Sequence, residues 1–221
     1  MTPFIVDTEK SVTLVGGGTV TPHDIEDCLT RAPVIVAADG GATPVLAEGH
    51  VPDAVIGDLD SLPQSARAKI PARRLHEITD QDTTDFEKCL RSVRAPLILG
   101  AGFTGQRIDH ELAVYATLVR SGRPCIILGS EDIVFAAPDR IEFDPGIGTR
   151  VSLFPMARVT GRSSGLFWSI NGITFSPAGR GGTSNRATGP VMLEFDAPGM
   201  LVILPRACLD MAIDALKSTR P

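Results

Sequence analysis

Over the first 130 residues, short continuous apolar runs alternate with stretches of helical period. VTLVG (12–16), PVIVAA (33–38), DAVIG (53–57), LILGA (97–101) and CIILG (125–129) have strand length and no polar face, the pattern of strands covered on both sides. Between them lie segments that open with helix-start residues: Thr21-Pro22 before HDIEDCL, Thr43-Pro44 before VLAEG, and Ser61-Leu62-Pro63 before QSARAKI. A β-α-β order predicts a parallel, Rossmann-like sheet, because parallel strands need crossovers and the crossovers cover the sheet. Ligands of such sheets collect where the strands end at their carboxyl side.

Beyond about residue 130 the helical period disappears. IVFAA, RIEFD, TRVSLFP, GLFWSI, GITFS, VMLEFD and MLVILP read as strands, with Gly and Pro closely spaced between them, from 145 and 146 through 189 and 190 to 198 and 199. This predicts an antiparallel sandwich or barrel. The boundary is placed near residue 130, giving an α/β domain over 1–130 and a β-rich domain over 131–221. CLDMAIDAL near the end is a candidate terminal helix, although its apolar spacing is mixed.

Charge and composition narrow the function classes. Against 26 acidic residues stand 21 basic ones, a net charge of −5. The chain therefore has no general attraction for nucleic acid or an anionic membrane, and its expected partners are small molecules. No apolar run approaches the roughly 18–20 residues of a membrane span. The opening MTPFIVDTEK lacks a basic segment followed by an apolar one, so the expected location is the cytoplasm. Cys28, Cys89, Cys125 and Cys208 are far apart, with no CxxC pair, and read as buried small hydrophobes. The four histidines have no ligand spacing, which argues against zinc.

The candidate chemistry is carboxylate chemistry. Six aspartates fall between residues 53 and 85. In GDLDS (57–61), Asp58 and Asp60 follow a strand; in an extended chain their side chains leave the same face, about 6–7 Å apart. Like charges about 6 Å apart repel by roughly 3 kcal/mol at an effective dielectric near 20. Two readings follow: a cation between them, for which oxygen-only donors imply magnesium or manganese, or a solvated turn that caps the next helix. In DQDTTDFEKCL (80–90), Thr84 and Glu87 form a capping box that starts a helix and puts Asp85 in its first turn. Asp80 and Asp82 are left as candidates for a third metal carboxylate, and Lys88 is either a phosphate partner or a surface lysine. GAGFTGQRIDHE (100–111) passes from a strand through a Gly-rich turn into a helix, which offers amides and Arg107 to an anion. Asp109 and His110 there read as caps. Gly16-Gly17-Gly18 resembles a phosphate-approach turn but completes neither GxGxxG nor a P-loop. ADGGA (38–42) ends another strand on an aspartate and glycines that permit close ligand approach. Trp168, the single tryptophan, is either a core residue or a stacking platform.

Taken in order, ADGGA, GDLDS, DQDTTDFEKCL, GQRIDH (105–110), GLFWSI (165–170) and TSN (183–185) resemble the thiamine pyrophosphokinase family across nearly the whole chain. The resemblance implies a parallel-sheet α/β domain followed by an antiparallel β-sandwich, in a homodimer with active sites between subunits. It also implies transfer of the pyrophosphoryl group of ATP to the hydroxyethyl oxygen of thiamine, giving thiamine diphosphate and AMP. The implied Mg2+ carboxylates are Asp58, Asp60 and Asp85, which with Arg107 form the catalytic set. Implied ATP contacts are Gly17, Asp39, Gly40, Thr43, Gln81, Thr84, Lys88 and Arg107. Implied thiamine contacts are Asp60, Asp109, Trp168, Ser184 and Asn185, with Trp168 stacking on the pyrimidine from the partner subunit. The chain departs from the family pattern at Thr43, often Asn, and at Gln106, often Gly. Two other functions share these features: a magnesium-dependent phosphohydrolase using DLD, and a thiamine or nucleotide sensor without catalysis. The first places its aspartate after the first strand rather than the third; the second has no evident need for Asp58, Asp60, Asp85 and Arg107 together.

Overall fold

All five apolar runs are strands. In the computed structural model, which describes residues 4–219, the fold is mixed α/β with a large mixed sheet. The chain divides into two compact units, one running through Thr117 and including Ile127–Gly129, the other made of Leu118–Ile126 and the chain from Ser130 onward.

The first unit runs β1 (Val6–Asp7), β2 (Val12–Val15), α1 (Pro22–Leu29), β3 (Val34–Ala38), α2 (Ala42–Ala47), β4 (Ala54–Gly57), α3 (Gln64–Arg67), β5 (Leu75–Glu77), α4 (Asp85–Ser92), β6 (Val93–Arg94), β7 (Ile98–Ala101) and α5 (Ile108–Ser121), whose last turn belongs to the second unit. The strand order β7-β2-β3-β4-β5 is parallel throughout. Every residue of β2, β4 and β7 is buried, as a sheet covered on both faces requires. β1 and β6 form a separate two-residue parallel pair. The predicted starts at Thr21 and Thr84 are capped by those side chains, α3 starts just after Pro63 without a side-chain cap, and α2 starts at Ala42, one residue ahead of the Thr43-Pro44 expected to open it. Thr21 makes a full capping box with Asp24 ahead of α1, and Thr84 Oγ1 accepts from the Glu87 amide at 3.3 Å ahead of α4. One glycine requirement is set by close backbone approach. A Cβ on Gly41, just beyond β3, would lie 2.1 Å from the Val15 carbonyl oxygen, so the chain passes the end of β2 only with hydrogen at that position.

The second unit contains β8 (Cys125–Leu128) in part, then β9 (Asp132–Ala136), β10 (Arg140–Phe143), β11 (Arg150–Pro155), β12 (Val159–Leu166), β13 (Thr174–Phe175), β14 (Thr183–Phe195), β15 (Met200–Pro205) and the terminal helix α6 (Leu209–Ser218). Its pairings are antiparallel: β9-β15-β11-β14-β12-β13, with β10 also on β14. The long β14 pairs with β11 over Thr183–Arg186 and with β10 over Val191–Glu194, so one strand serves two neighbours in succession. Here the sequence expectations need correction. Gly189 and Pro190 do not break the chain but lie inside β14, where a Cβ on Gly189 would meet nothing within 4 Å. GLFWSI is not a strand beyond Leu166. Gly165 adopts φ +74, the β12–β14 register shifts between Ser164 and Leu166, and the chain leaves the sheet as a bulge. The polar segment VTGRSSG ahead of it is the strand instead.

Asn185 fastens the loop that follows. Its Oδ1 accepts from the Trp168 amide at 3.1 Å and from the Arg186 amide at 3.0 Å, and its Nδ2 donates to the Trp168 carbonyl at 2.7 Å. Its side chain is buried, so these bonds replace the water that such a group loses.

Gly41→Ala is expected to destabilise the fold by about 1–3 kcal/mol, the usual cost of forcing an atom into a packed site, read as a lower midpoint in urea. An unchanged midpoint would mean that β2 can shift to make room.

Candidate active site

The carboxyl ends of β2, β3, β4 and β7 surround a cleft of about 580 Å³. Gly16, Gly17 and Gly18 after β2, Asp39 and Gly40 after β3, Asp58 and Ser61 after β4, and Gly102, Phe103 and Thr104 after β7 form its walls. The glycine turns are tied together by backbone: the Gly16 amide donates to the Ala101 carbonyl at 2.8 Å and the Gly18 amide to the Gly102 carbonyl at 2.7 Å. The segment before α4 adds Gln81, Thr83 and Thr84, and α4 adds Asp85, Phe86 and Lys88. Gln106, Arg107 and His110 complete it from the start of α5.

Two strand ends bring three carboxylates together. Asp39, Asp58 and Asp60 each offer an oxygen, and these lie within 4.8 Å of one another. Their route differs from the sequence expectation. Asp58 and Asp60 are not extended neighbours; Leu59 between them has φ +62 and turns its buried side chain into a cluster with Ala37, Ala42, Val55, Leu62, Ala66 and Ile70. The tight turn, rather than a two-residue repeat, sets the pair. Asp39 also has a positive φ, +44, which an aspartate tolerates better than most residues.

The electrostatics of the three differ. Asp39 is 3% exposed, and its Oδ2 accepts from the Ser61 amide at 3.1 Å. Its Oδ1 is buried with no hydrogen-bond donor among the described residues. Desolvation raises the Asp39 pKa against these Ser61 bonds, and the charges of Asp85 and Asp58 push it the same way. At Asp58 desolvation is outweighed by the Asp60 amide, the Lys88 charge and a hydrogen bond from Gln81, and the pKa falls. Asp60 is exposed, and its Oδ1 accepts from the Ser61 hydroxyl at 2.9 Å.

Lys88 is the fixed cation of the cleft. It is 2% exposed, and its Nζ lies 3.0 Å from Asp85 Oδ1 and 3.9 Å from Asp58 Oδ2. A buried ammonium persists only with such partners. Asp85 is therefore in the cleft but pairs with Lys88 and stands outside the group of three. Sequence reasoning placed Asp39 on the nucleotide and did not see it beside Asp58 and Asp60; the available signal was an aspartate ending a strand and followed by two glycines.

The remaining predicted positions fall as follows. Gly17, Gly40, Gln81 and Thr84 line the cleft. Thr43 is an exposed residue in the first turn of α2 and is not part of the lining. Arg107 lines the cleft but grips Asp109, with Nη2 2.5 Å from Oδ2 and Nε 3.1 Å from Oδ1. That bidentate bond holds the Asp109 carboxyl below its ordinary range. Trp168, Ser184 and Asn185 lie in the second unit. Trp168 is 56% exposed and meets Phe167 edge-on with centroids 4.8 Å apart, while Arg186 sits 4.0 Å above the Phe167 ring. Ser184 is exposed on β14.

A family model described as "Thiamin pyrophosphokinase, catalytic domain" matches residues 25–127. Thiamine pyrophosphokinase 1 of Oryza sativa subsp. japonica is 31% identical over 190 residues, spanning 70% of this chain and 72% of the relative. Thiamine pyrophosphokinase 3 of the same organism is 30% identical over 190 residues, spanning 70% and 71%. Among solved structures, the thiamin pyrophosphokinase from Candida albicans superposes with a TM-score of 0.74 at 15% identity, covering 90% of this chain and 92% of that one; at that identity the likeness concerns the fold.

The raised Asp39 pKa gives a prediction for the metal-free protein. Its folded pKa exceeds the unfolded value, so its contribution to stability is present at low pH and lost as pH rises through the folded pKa. Asp39→Asn, which mimics the protonated state, is expected to melt above the parent at pH 7 in a chelator, with the gap closing on acidification. Calorimetric melts at several pH values check this, and a variant that melts lower at pH 7 would refute it.

Proposed function

We propose, since the chain belongs to the thiamine pyrophosphokinase family, that it transfers the pyrophosphoryl group of ATP to the hydroxyethyl oxygen of thiamine, giving thiamine diphosphate and AMP. The observation that carries this reading is the meeting of Asp39, Asp58 and Asp60 at strand ends, beside a glycine-walled cleft whose cation is the buried Lys88. A triphosphate needs backbone that allows close approach, charge to balance its oxygens and walls that exclude water; the cleft offers all three.

The donor set suits a hard divalent cation. The candidate ligands are all oxygen, and the buried Oδ1 of Asp39, which receives no hydrogen bond among the described residues, has the environment of a ligand atom. Asp58 and Asp60 would hold Mg2+, with Asp39 beside them and Asp85 on the Lys88 side of the cleft. When bound, the ion supplies charge neutralisation for the phosphate oxygens. The chain's own residues do the rest. Asp58, held ionised, keeps its charge in the working pH range. Gly17, Gly40, Gln81 and Thr84 bound the nucleotide. Lys88 stands fixed beside the carboxylates, and Arg107, on releasing Asp109, turns to the migrating group. The thiamine oxygen forms a bond to the β-phosphorus as the bond from that phosphorus to the α-phosphate bridging oxygen breaks. The hydroxyl proton passes to a carboxylate, for which the exposed Asp60 is the accessible acceptor.

Thiamine in this reading meets Asp60 and Asp109 of one copy and stacks on Trp168 contributed by the second copy, where Ser184 lies near the ring and Asn185 acts through its hold on the Trp168 backbone. Two exposed apolar pairs, Phe167 against Trp168 and Ile108 with Leu112 four residues on in α5, support a homodimer with sites completed by the second copy, which would cover them. The finer architecture we propose is a Rossmann-like α/β domain over 1–130 and an antiparallel β-sandwich over 131–221. Support comes from the parallel pairings of β7-β2-β3-β4-β5 and from β14, which serves two sets of neighbours. We assign it to the cytoplasm, where buried cysteines outside any disulfide are at home. Among the described residues no helix is long and apolar enough to cross a membrane.

The test is AMP release from ATP with thiamine and Mg2+ each supplied or withheld. AMP is expected only when both are present; phosphate release without thiamine would instead make the protein a hydrolase. Asp58→Asn and Asp60→Asn are expected to lower AMP formation by about two orders of magnitude or more, with the fold retained by circular dichroism. Trp168→Ala is expected to raise the KM for thiamine about tenfold, leaving that for ATP near its original value. Equal rises in both would remove Trp168 from the thiamine site.

A further inference from the structure

The carboxylate of Asp80 stands outside the cleft lining, and both of its oxygens are taken by donors of its own segment and helix. Its Oδ1 accepts from the Asp82 amide at 3.0 Å. Its Oδ2 accepts from the Thr83 hydroxyl at 3.0 Å and from Arg91 Nη2 at 2.9 Å. The first two bonds fold residues 80–83 into a closed turn. The third crosses to the last turn of α4, the helix that Thr84 caps and that carries Asp85 and Lys88. Asp80 thus joins the entry of the segment to the helix at its exit, and the residues spanned, Gln81, Thr83 and Thr84, face the cleft together with Lys88. With three donors on two oxygens, this carboxylate is engaged by its own chain, which separates it from Asp39, whose Oδ1 has none among the described residues.

We propose that Asp80, clamped by Arg91, is a positioning residue for nucleotide binding: it fixes where Gln81, Thr83 and Thr84 stand relative to Lys88. This rests on the reading that the cleft takes the triphosphate. The bond to Arg91 joins two partly exposed side chains, 32% and 47%, so by itself it is a modest interaction. Its effect comes through geometry, because a shift of about 1 Å in a phosphate-contacting segment is enough to weaken binding and rate.

The experiment uses the full chain with ATP and Mg2+, reading the ATP Kd by calorimetry alongside KM and kcat for the transfer. Asp80→Ala is expected to weaken ATP about tenfold, with the KM for thiamine changed by less than about twofold and the melting temperature little altered. Asp80→Asn keeps one oxygen for the Asp82 amide, and its Nδ2 can donate to the Thr83 hydroxyl, but it loses both the acceptor and the charge opposite Arg91; it is expected to restore part of the affinity. Arg91→Ala is expected to resemble Asp80→Asn, and Asp80→Ala with Arg91→Ala together to be no weaker than Asp80→Ala alone, since Arg91 acts through Asp80. The proposal is overturned if Asp80→Ala binds ATP like the parent, if the two changes add, or if Asp80→Ala loses Mg2+ affinity without nucleotide, which would make it a ligand. The two readings fail separately. Altered ATP affinity in a protein that makes no AMP from thiamine sinks the proposed reaction and keeps the clamp. Normal AMP formation with unaltered ATP affinity does the reverse.

Discussion

The structure of this site depends on holding like charges close together against their repulsion. Two unit charges about 5 Å apart repel by roughly 3 kcal/mol at an effective dielectric near 20, less where water screens them, as at Asp60. Asp39, Asp58 and Asp60 nevertheless share one spot. What holds them is backbone rather than side-chain attraction: they follow β3 and β4, adjacent parallel strands whose residues are almost wholly buried. The sheet core supplies the stability that the carboxylates consume. The same logic accounts for Lys88, whose burial would be prohibitive without Asp85 and Asp58 beside it.

The two non-glycine residues with positive φ, among those described, are Asp39 and Leu59. Asp39 is a member of the carboxylate cluster and Leu59 stands between the other two members, in a site where strain is commonly stored. For Leu59 the left-handed conformation costs roughly 1–2 kcal/mol. Its burial at 6% exposure in a seven-residue apolar cluster returns about 1.5–3 kcal/mol. The two terms are comparable, so the turn is sustained by the packing of the residue that is strained. A polar residue here would lose the compensation, and glycine would lose the anchor.

Much of this is legible in the sequence, and the failures have physical causes. Strands buried on both faces announce themselves as unbroken apolar runs, which is why all five such runs coincide with strands. The second unit is harder. β12 is a strand whose composition, VTGRSSGL, is mostly polar and small, and it is held by ladder bonds to β14 that no side-chain pattern reveals. GLFWSI has strand composition but follows a bulge, and beyond Phe167 its backbone is met by the side chains of Asn185 and Ser163 rather than by strand backbone. In the site, motifs identify the right loops but assign geometry by default: GDLDS reads as extended, and its turn becomes visible only with coordinates. Asp80 shows the same limit. A carboxylate's ligands are chosen by the fold, and Asp80 lies three residues from Thr83 but eleven from Arg91, a separation that carries no local signal.

Trp168 illustrates how a rigid position can be built without burial. An exposed indole on a loop ordinarily samples several orientations and must give up that freedom when it binds a ring. Here the backbone at Trp168 is closed at both its amide and its carbonyl by one buried side chain, and the adjacent Phe167 is covered by the Arg186 guanidinium at 4.0 Å. The backbone share of the ordering that a ligand would impose is therefore already supplied by the strand that carries Asn185. The guanidinium has a second consequence. Arg186 also lies about 6.0 Å from the indole centroid, so positive charge is already present on that side and the face of Trp168 away from Arg186 is the electrostatically open one.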